Sequence, residues 1–204
     1  MENIPVKPST GLVRQRQSKP RTQLAPEQWV EAAIDVLARE GITGLRIETL
    51  AKQCGVTKGS FYWHFRDRQA LLDAVLEVWR AGRIRDIEKT TAIQQPGHEL
   101  EQLQYAIEVY GASRNRKGMA IELAVRDWAR RDAAAAEVVQ AVDLYRLECT
   151  CRLFIASGMS EADAKSRSLL LYACVFGLSL MHYAPFDDNL PALKKRITDR
   201  IVGR

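Results

Sequence analysis

Apolar side chains recur every three to four positions along most of this chain, the spacing of one face of an α-helix. The first stripe, Val30, Ala33, Ile34 and Leu37, lies between Pro26, suited to a helix's first turn, and Gly41, suited to its end. This predicts a helix from 26 to about 40. Ile47, Leu50, Ala51 and Cys54 mark a second, short helix that Gly55 stops. Thr57 stands at the N-cap position of a third, with Val56 beneath the turn, and Asp67 at that of a fourth striped by Leu71, Leu72, Val75, Leu76 and Trp79. Further helices are expected near 98–114, 117–131, 133–156, 160–184 and 189–202, punctuated by Pro96-Gly97, Gly118, Gly158 and Pro185. No alternating strand pattern and no internal repeat stands out. The expected fold is all-α: a compact three-helix unit, a connecting fourth helix and a larger helical body.

A hydrophobic content of 47% over 204 residues is ample for a packed core. The net charge of +5 is unevenly spread, since Lys7, Arg14, Arg16, Lys19 and Arg21 face only Glu2 in the first 24 residues. With Pro5, Pro8 and Pro20, residues 1–22 form a basic arm expected to lack fixed structure in isolation. Such an arm suits nucleic acid or an acidic membrane, or is simply solvated. No apolar stretch follows it, so no secretory signal is expected. The most apolar run, 169–184, is shorter than the roughly 20 residues of a membrane helix and holds Ser179 and His182. A soluble, cytoplasmic protein is expected.

The cysteines, Cys54, Cys149, Cys151 and Cys174, are too few for a disulfide framework in a chain of this size. On a helix Cys149 and Cys151 fall on nearly opposite faces, which suits neither a metal nor a disulfide. Reduced thiols are expected, with a redox role left open. There is no glycine-rich phosphate loop, no paired-histidine metal spacing and no serine elbow. Ser60 and His64 are four apart, but no nearby carboxylate would orient the histidine. No enzyme, cofactor or metal site is expected.

One stretch departs from ordinary amphipathic pattern. In "VTKGSFYWHF", residues 56–65, five large rings follow one another. At about 100° per residue, Phe65 falls about 40° round a helix from Phe61, while Gly59, Trp63 and Ser60 fall at about 160°, 200° and 260°. Phe61 and Phe65 can therefore form a buried seam, with Gly59, Ser60 and Trp63 opposite and Tyr62 and His64 flanking them. Glycine in a helix costs roughly 1 kcal/mol relative to alanine, but on an outward face it lets another surface approach closely. Residues 57–65 contain no acid, and Arg66 and Arg68 follow. A short helix, a glycine turn and a second short helix form the grammar of a helix-turn-helix, spanning about 46–65, which projects its second helix into the major groove. Aromatic anchors for a protein partner are the rival use of the same rings.

The segment "WVEAAIDVLAREGITGLRIETLAKQCGVTKGSFYWHFRDRQALLDAVLE" resembles the DNA-binding domain of TetR-type (TetR/AcrR) transcriptional regulators. "AAIDVLAREG", "LAKQCGVTKGSFYWHF" and "RDRQALLDAV" occur in the family's order and at its separations, and the resemblance covers about residues 23–83. It implies a DNA-binding domain over 23–83 and an effector-binding and dimerisation domain over 84–204. It further implies that Thr57 caps the recognition helix and touches phosphate. Lys58, Gly59, Ser60 and Trp63 would meet bases or groove, and Tyr62, His64 and Arg68 would grip the backbone. Arg46 stands where many members have Ser or Thr; it cannot cap by accepting a hydrogen bond but can reach phosphate or a guanine edge.

For the body, the resemblance implies a homodimer and a small-molecule effector. The helix near 160–184 is apolar nearly all round from Leu169 to Met181, and Ala173 and Gly177 would let a partner helix approach; the alternative is a central helix covered by its own domain. A dimer would set two reading heads about 34 Å apart on a near-palindromic operator in double-stranded DNA. Candidate effector contacts are Tyr105, Tyr110, Met119, Trp128, Cys149, Tyr172 and Phe176, each of which reads better as core packing than as a ligand contact. "AVRDWARRD", 124–132, reads better as a solvated basic face than as an anion site. A repressor is expected, because a dimer over a promoter blocks polymerase; activation by the same fold would leave no mark in the sequence.

Overall fold

Five of the helices start where the chain supplies a capping side chain or a proline. In the computed structural model, which describes residues 24–92, 97–111 and 116–203, α1 (Pro26–Glu40) begins at a proline, with the Gln28 side chain accepting the Ala25 N–H at 2.8 Å. It buries Trp29, Val30, Ala33, Val36 and Leu37. Ile34, expected on that stripe, lies at its half-buried edge. Gly41, at φ +70°, turns the chain into a 3-10 turn, Ile42–Gly44. α2 (Ile47–Gln53), α3 (Lys58–Phe61) and α4 (Arg68–Thr91) follow. Gly55, at φ +67°, makes the tight bend between α2 and α3.

The body holds α5 (Glu99–Gly111), α6 (Arg116–Ala129), α7 (Ala133–Ala156), α8 (Glu161–Leu180) and α9 (Leu190–Val202). Asp132, Ser160 and Asn189 cap the last three, each accepting a backbone N–H three residues on. Gly118, expected as punctuation, lies inside α6. α8 ends at Leu180, short of the expected 184, and the chain passes into a second 3-10 turn, Ala184–Phe186. Pro185 offers no N–H to a continuing helix and sits in the first part of that 3-10 turn. Across the body, Arg167 of α8 donates to the Ile201 and Arg200 carbonyls at the end of α9, at 2.7 and 3.2 Å.

Two cores result. The first joins Trp29, Leu37, Leu50, Phe61, Leu72 and Trp79 to Ile87, Val125, Trp128 and Val142, so α1–α4 share an interior with α6 and α7. The second gathers Leu103, Leu153, Phe154, Leu171, Val175 and Ile201 from α5, α7, α8 and α9. The expected domain division at residue 83 falls inside α4, which runs unbroken past it. The basic arm expected over 1–22 lies outside the described residues. Among the described residues no helix is long and apolar enough to cross a membrane.

Candidate nucleic-acid interface

The rings of residues 61–65 divide between the two sides of their segment. Phe61 is fully buried, edge-on to Trp29 with centroids 5.4 Å apart, and stacks on Phe65 at 5.3 Å. Trp63 is 79% exposed and Tyr62 50% exposed. Tyr62 leans its ring edge-on against Phe61, which fixes its direction. α3 proper is four residues long, not the longer helix the pattern predicts. Residues 62–64 tighten into turn, the Phe61 carbonyl accepting from both His64 N and Phe65 N at 3.0 Å. Successive bulky rings favour helix weakly, which allows this tightening.

A Cβ built at Gly59 meets only the Thr57 hydroxyl, at 3.7 Å, and its φ is not positive. Neither packing nor backbone geometry of this chain therefore calls for glycine there. Thr57 takes the extended N-cap conformation, but its side chain makes no capping bond, contrary to the expectation. Instead, the Ser60 hydroxyl donates to the Thr57 carbonyl at 2.8 Å, closing the first turn from the other direction.

Three further positions carry features that spacing could not reveal. Arg68 donates from Nε to the Leu45 carbonyl at 2.7 Å and from Nη2 to the Ile42 carbonyl at 3.0 Å, tying the start of α4 to the turn ahead of α2. His64 is half-buried and its Nε2 is shielded from solvent without a hydrogen-bond partner, so it is less outward than the wheel implies. Lys58 is ion-paired to Glu48 of α2. The acid-free surface expected of residues 57–65 thus receives a carboxylate from the neighbouring helix. The hydrogen bond from Lys58 holds the Glu48 carboxyl below its usual range, and the same contact raises the Lys58 ammonium. Arg46 lies exposed at the start of α2 and makes no capping bond.

In the body, the described candidate effector residues are divided between the two cores and the surface. Trp128 and Cys149 are buried in the first core, the cysteine sulfur accepting from Arg152 Nη2 at 2.9 Å. Met119, Tyr172 and Phe176 belong to the second core, and Tyr105 is half exposed. The Tyr110 side chain lies outside the described parts. Tyr172 and Phe176 are brought together by arginines: Arg126 lies 4.1 Å over the Phe176 ring, and Arg146 5.3 Å over that of Tyr172. The same arginines hold Glu122 and Asp143. Arg126 reaches both Asp143 oxygens at 2.5 and 2.8 Å and Glu122 Oε1 at 2.9 Å, and Arg146 reaches Glu122 Oε1 at 3.2 Å. Burial opposes the charge on Arg126, and the bonds from Asp143 and Glu122 outweigh it. Arg126 is therefore no member of a solvated basic face, although Arg130 and Arg131 beside it are exposed. All four cysteines are free thiols.

The helical arrangement and the exposed ring pair can be set beside known proteins. The family model described as "Bacterial regulatory proteins, tetR family" matches residues 30–75. The chain is 43% identical over 60 residues to tetracycline repressor protein class A from transposon 1721 of Escherichia coli, covering 29% of this chain and 28% of that protein. With the HTH-type transcriptional regulator AcrR of Shigella flexneri it shares 26% identity over 201 residues, covering 92% of this chain and 90% of the relative. A transcriptional regulator structure from Rhodococcus sp. Rha1 superposes with a TM-score of 0.68 at 21% identity, covering 88% of this chain and 95% of that one. A Saccharomonospora viridis structure in complex with choline gives 0.69 at 16% identity, covering 86% and 94%. The family-model match, the geometry of the exposed segment and these likenesses converge: residues 30–75 are a domain of the tetR family of bacterial regulatory proteins, on a chain that shares the fold of these solved regulators.

Proposed function

We propose that this regulator is a repressor that sits on a near-palindromic operator as a homodimer and leaves it when a small molecule binds the body. In this reading Lys58, Gly59, Ser60 and Trp63 enter the major groove, and Arg46, Thr57 and Tyr62 hold phosphates. Arg68 keeps Nη1 for a phosphate, and His64 takes part only if its ring turns outward. One observation carries the orientation: Trp63 stands 79% exposed four positions after Gly59, where an added Cβ would make only an ordinary contact with the Thr57 hydroxyl, on a segment pinned from behind by Phe61 and Phe65. An exposed tryptophan without a partner and a glycine without an internal reason are both accounted for by an external surface that comes close.

Support for the homodimer comes from α8. Leu169, Leu170, Ala173 and Leu180 are exposed along it, and no atom lies within 4 Å of a Cβ placed at Gly177. An apolar strip of this kind needs cover. For the effector, Tyr172 and Phe176 with the arginines over them are the polar and aromatic groups that converge inside the body.

Selection of bound sequences from random duplex DNA, followed by titration in rising salt, tests the reading. A near-palindrome should emerge, and log K should fall by about 0.9 per phosphate neutralised for each decade of salt. Lys58→Ala and Trp63→Ala proteins should lose the selected site. A salt-insensitive interaction, or undiminished affinity in both variants, would sink the orientation. Repeating the capture with candidate metabolites identifies the molecule that releases the DNA.

A further inference from the structure

The contact between Lys58 and Glu48 joins the two helices of the reading head at its exposed surface. Their side chains are 50% and 65% exposed, so solvent or a ligand can reach both. A carboxylate in this place is costly for DNA binding. Brought toward a groove walled by phosphates it is repelled, and it neutralises a lysine that would otherwise attract the duplex. The cost is recovered only where the carboxylate meets a base-edge donor.

The major-groove edge of a G·C pair presents two acceptors on guanine, N7 and O6, followed by one donor, cytosine N4. An ammonium beside a carboxylate matches that series, cation to acceptors and anion to donor. An A·T edge places its single amino donor between acceptors and ends in a methyl group, so the same pair would set a carboxylate against lone pairs. We propose that Glu48 is a specificity-determining residue of this protein: with Lys58 it reads one G·C base pair in each half-site as a unit, the ammonium on guanine and the carboxylate on cytosine N4. Away from that pair the two side chains satisfy one another, and Lys58 is withheld from phosphates. Discrimination thus arises as much from weakened binding elsewhere as from contact at the site. This inference rests on the orientation of the reading head given above.

The test uses the full chain as wild type, Glu48→Ala, Glu48→Gln and Lys58→Met, each put through selection from random duplexes and binding to an unrelated duplex over a range of salt. Wild type should select an invariant G·C pair at one position of each half-site. Glu48→Ala should lose that preference, discrimination there falling roughly tenfold or more. It should also bind unrelated DNA more tightly, with a salt dependence steeper by about 0.9 for each protomer whose Lys58 takes up a phosphate. Glu48→Gln should move the preference toward adenine, which a carboxamide reads through N6 and N7. Lys58→Met should lose the guanine preference. A purely structural pair would change the thermal midpoint and leave selected sequences and salt slope as they were; that result overturns the inference. If Lys58→Met and Trp63→Ala also bind like wild type, the orientation falls with it. If only Glu48→Ala behaves as wild type, the orientation stands and this inference alone is refuted.

Discussion

Phe61 and Trp63 stand two positions apart in one short segment, yet one is sealed against Trp29 and the other faces solvent. Phe61→Ala should cost about 3–5 kcal/mol of stability, as large ring truncations in a core do, read as a lower midpoint in urea. Trp63→Ala should leave that midpoint within error while operator affinity drops; a large shift in midpoint would show that the ring packs on the protein after all. At Gly59 the two properties should move in opposite directions. Gly59→Ala gains up to about 1 kcal/mol of helix stability because nothing in the chain crowds the new methyl group. The same methyl group should weaken operator binding by holding the groove wall away. This division of rings was legible in the sequence, because angular spacing alone separates 61 and 65 from 63. The roles of Arg68, His64 and Glu48 were not. Their deciding partners, the Ile42 and Leu45 carbonyls for Arg68 and Lys58 for Glu48, lie across turns whose shape no local pattern encodes.

At the scale of the element, capping separates what periodicity can and cannot foresee. Asp67 caps α4, its Oδ1 accepting from Ala70 N at 2.8 Å, and that bond holds its carboxyl below the usual range. A carboxyl depressed in the folded state contributes stability above its unfolded pKa and loses it as pH falls through the lower folded value. The thermal midpoint should therefore decline below about pH 4, and Asp67→Asn, whose amide oxygen caps without titrating, should flatten that decline. Equal acid sensitivity in the two proteins would exclude Asp67 as a source. Thr57 has the same sequence credentials as Asp67 but makes no capping bond, and the Ser60 hydroxyl donates to its carbonyl. Helix identities and most boundaries were readable from stripes and caps. The brevity of α3 and the early end of α8 were not, because the apolar spacing continues past both ends. The exposed side of α8 carries its own prediction: Ala173→Arg, placing a charge amid Leu169, Leu170 and Gly177, should convert a dimer to a monomer in sedimentation velocity and abolish operator binding at dilute protein. Unchanged sedimentation would place the dimer contact elsewhere.

For the whole molecule, the buried charges of the body matter most. Glu122 and Arg146 are both nearly sealed, and Arg126 and Asp143 complete their network. Removing Glu122 takes the nearer carboxylate from the sealed Arg146 and leaves it the 3.4 Å contact with Asp143, so Glu122→Ala should cost about 3–5 kcal/mol, measurable as a lower thermal midpoint. A near-neutral result would mean that water reaches the arginines. None of this network was visible beforehand, since its members come from two helices and their aromatic cover from a third. α4 links this interior to the reading head without a break from Arg68 to Thr91. At 1.5 Å per residue its 24 residues make a rod of about 36 Å. Pivoting such a rod by about 5° at its far end would displace Arg68 by about 3 Å, close to the 3.4 Å step between neighbouring nucleotides on a strand. Repacking by one side chain's width beside Thr91 would be enough to set the two halves of a palindrome out of register.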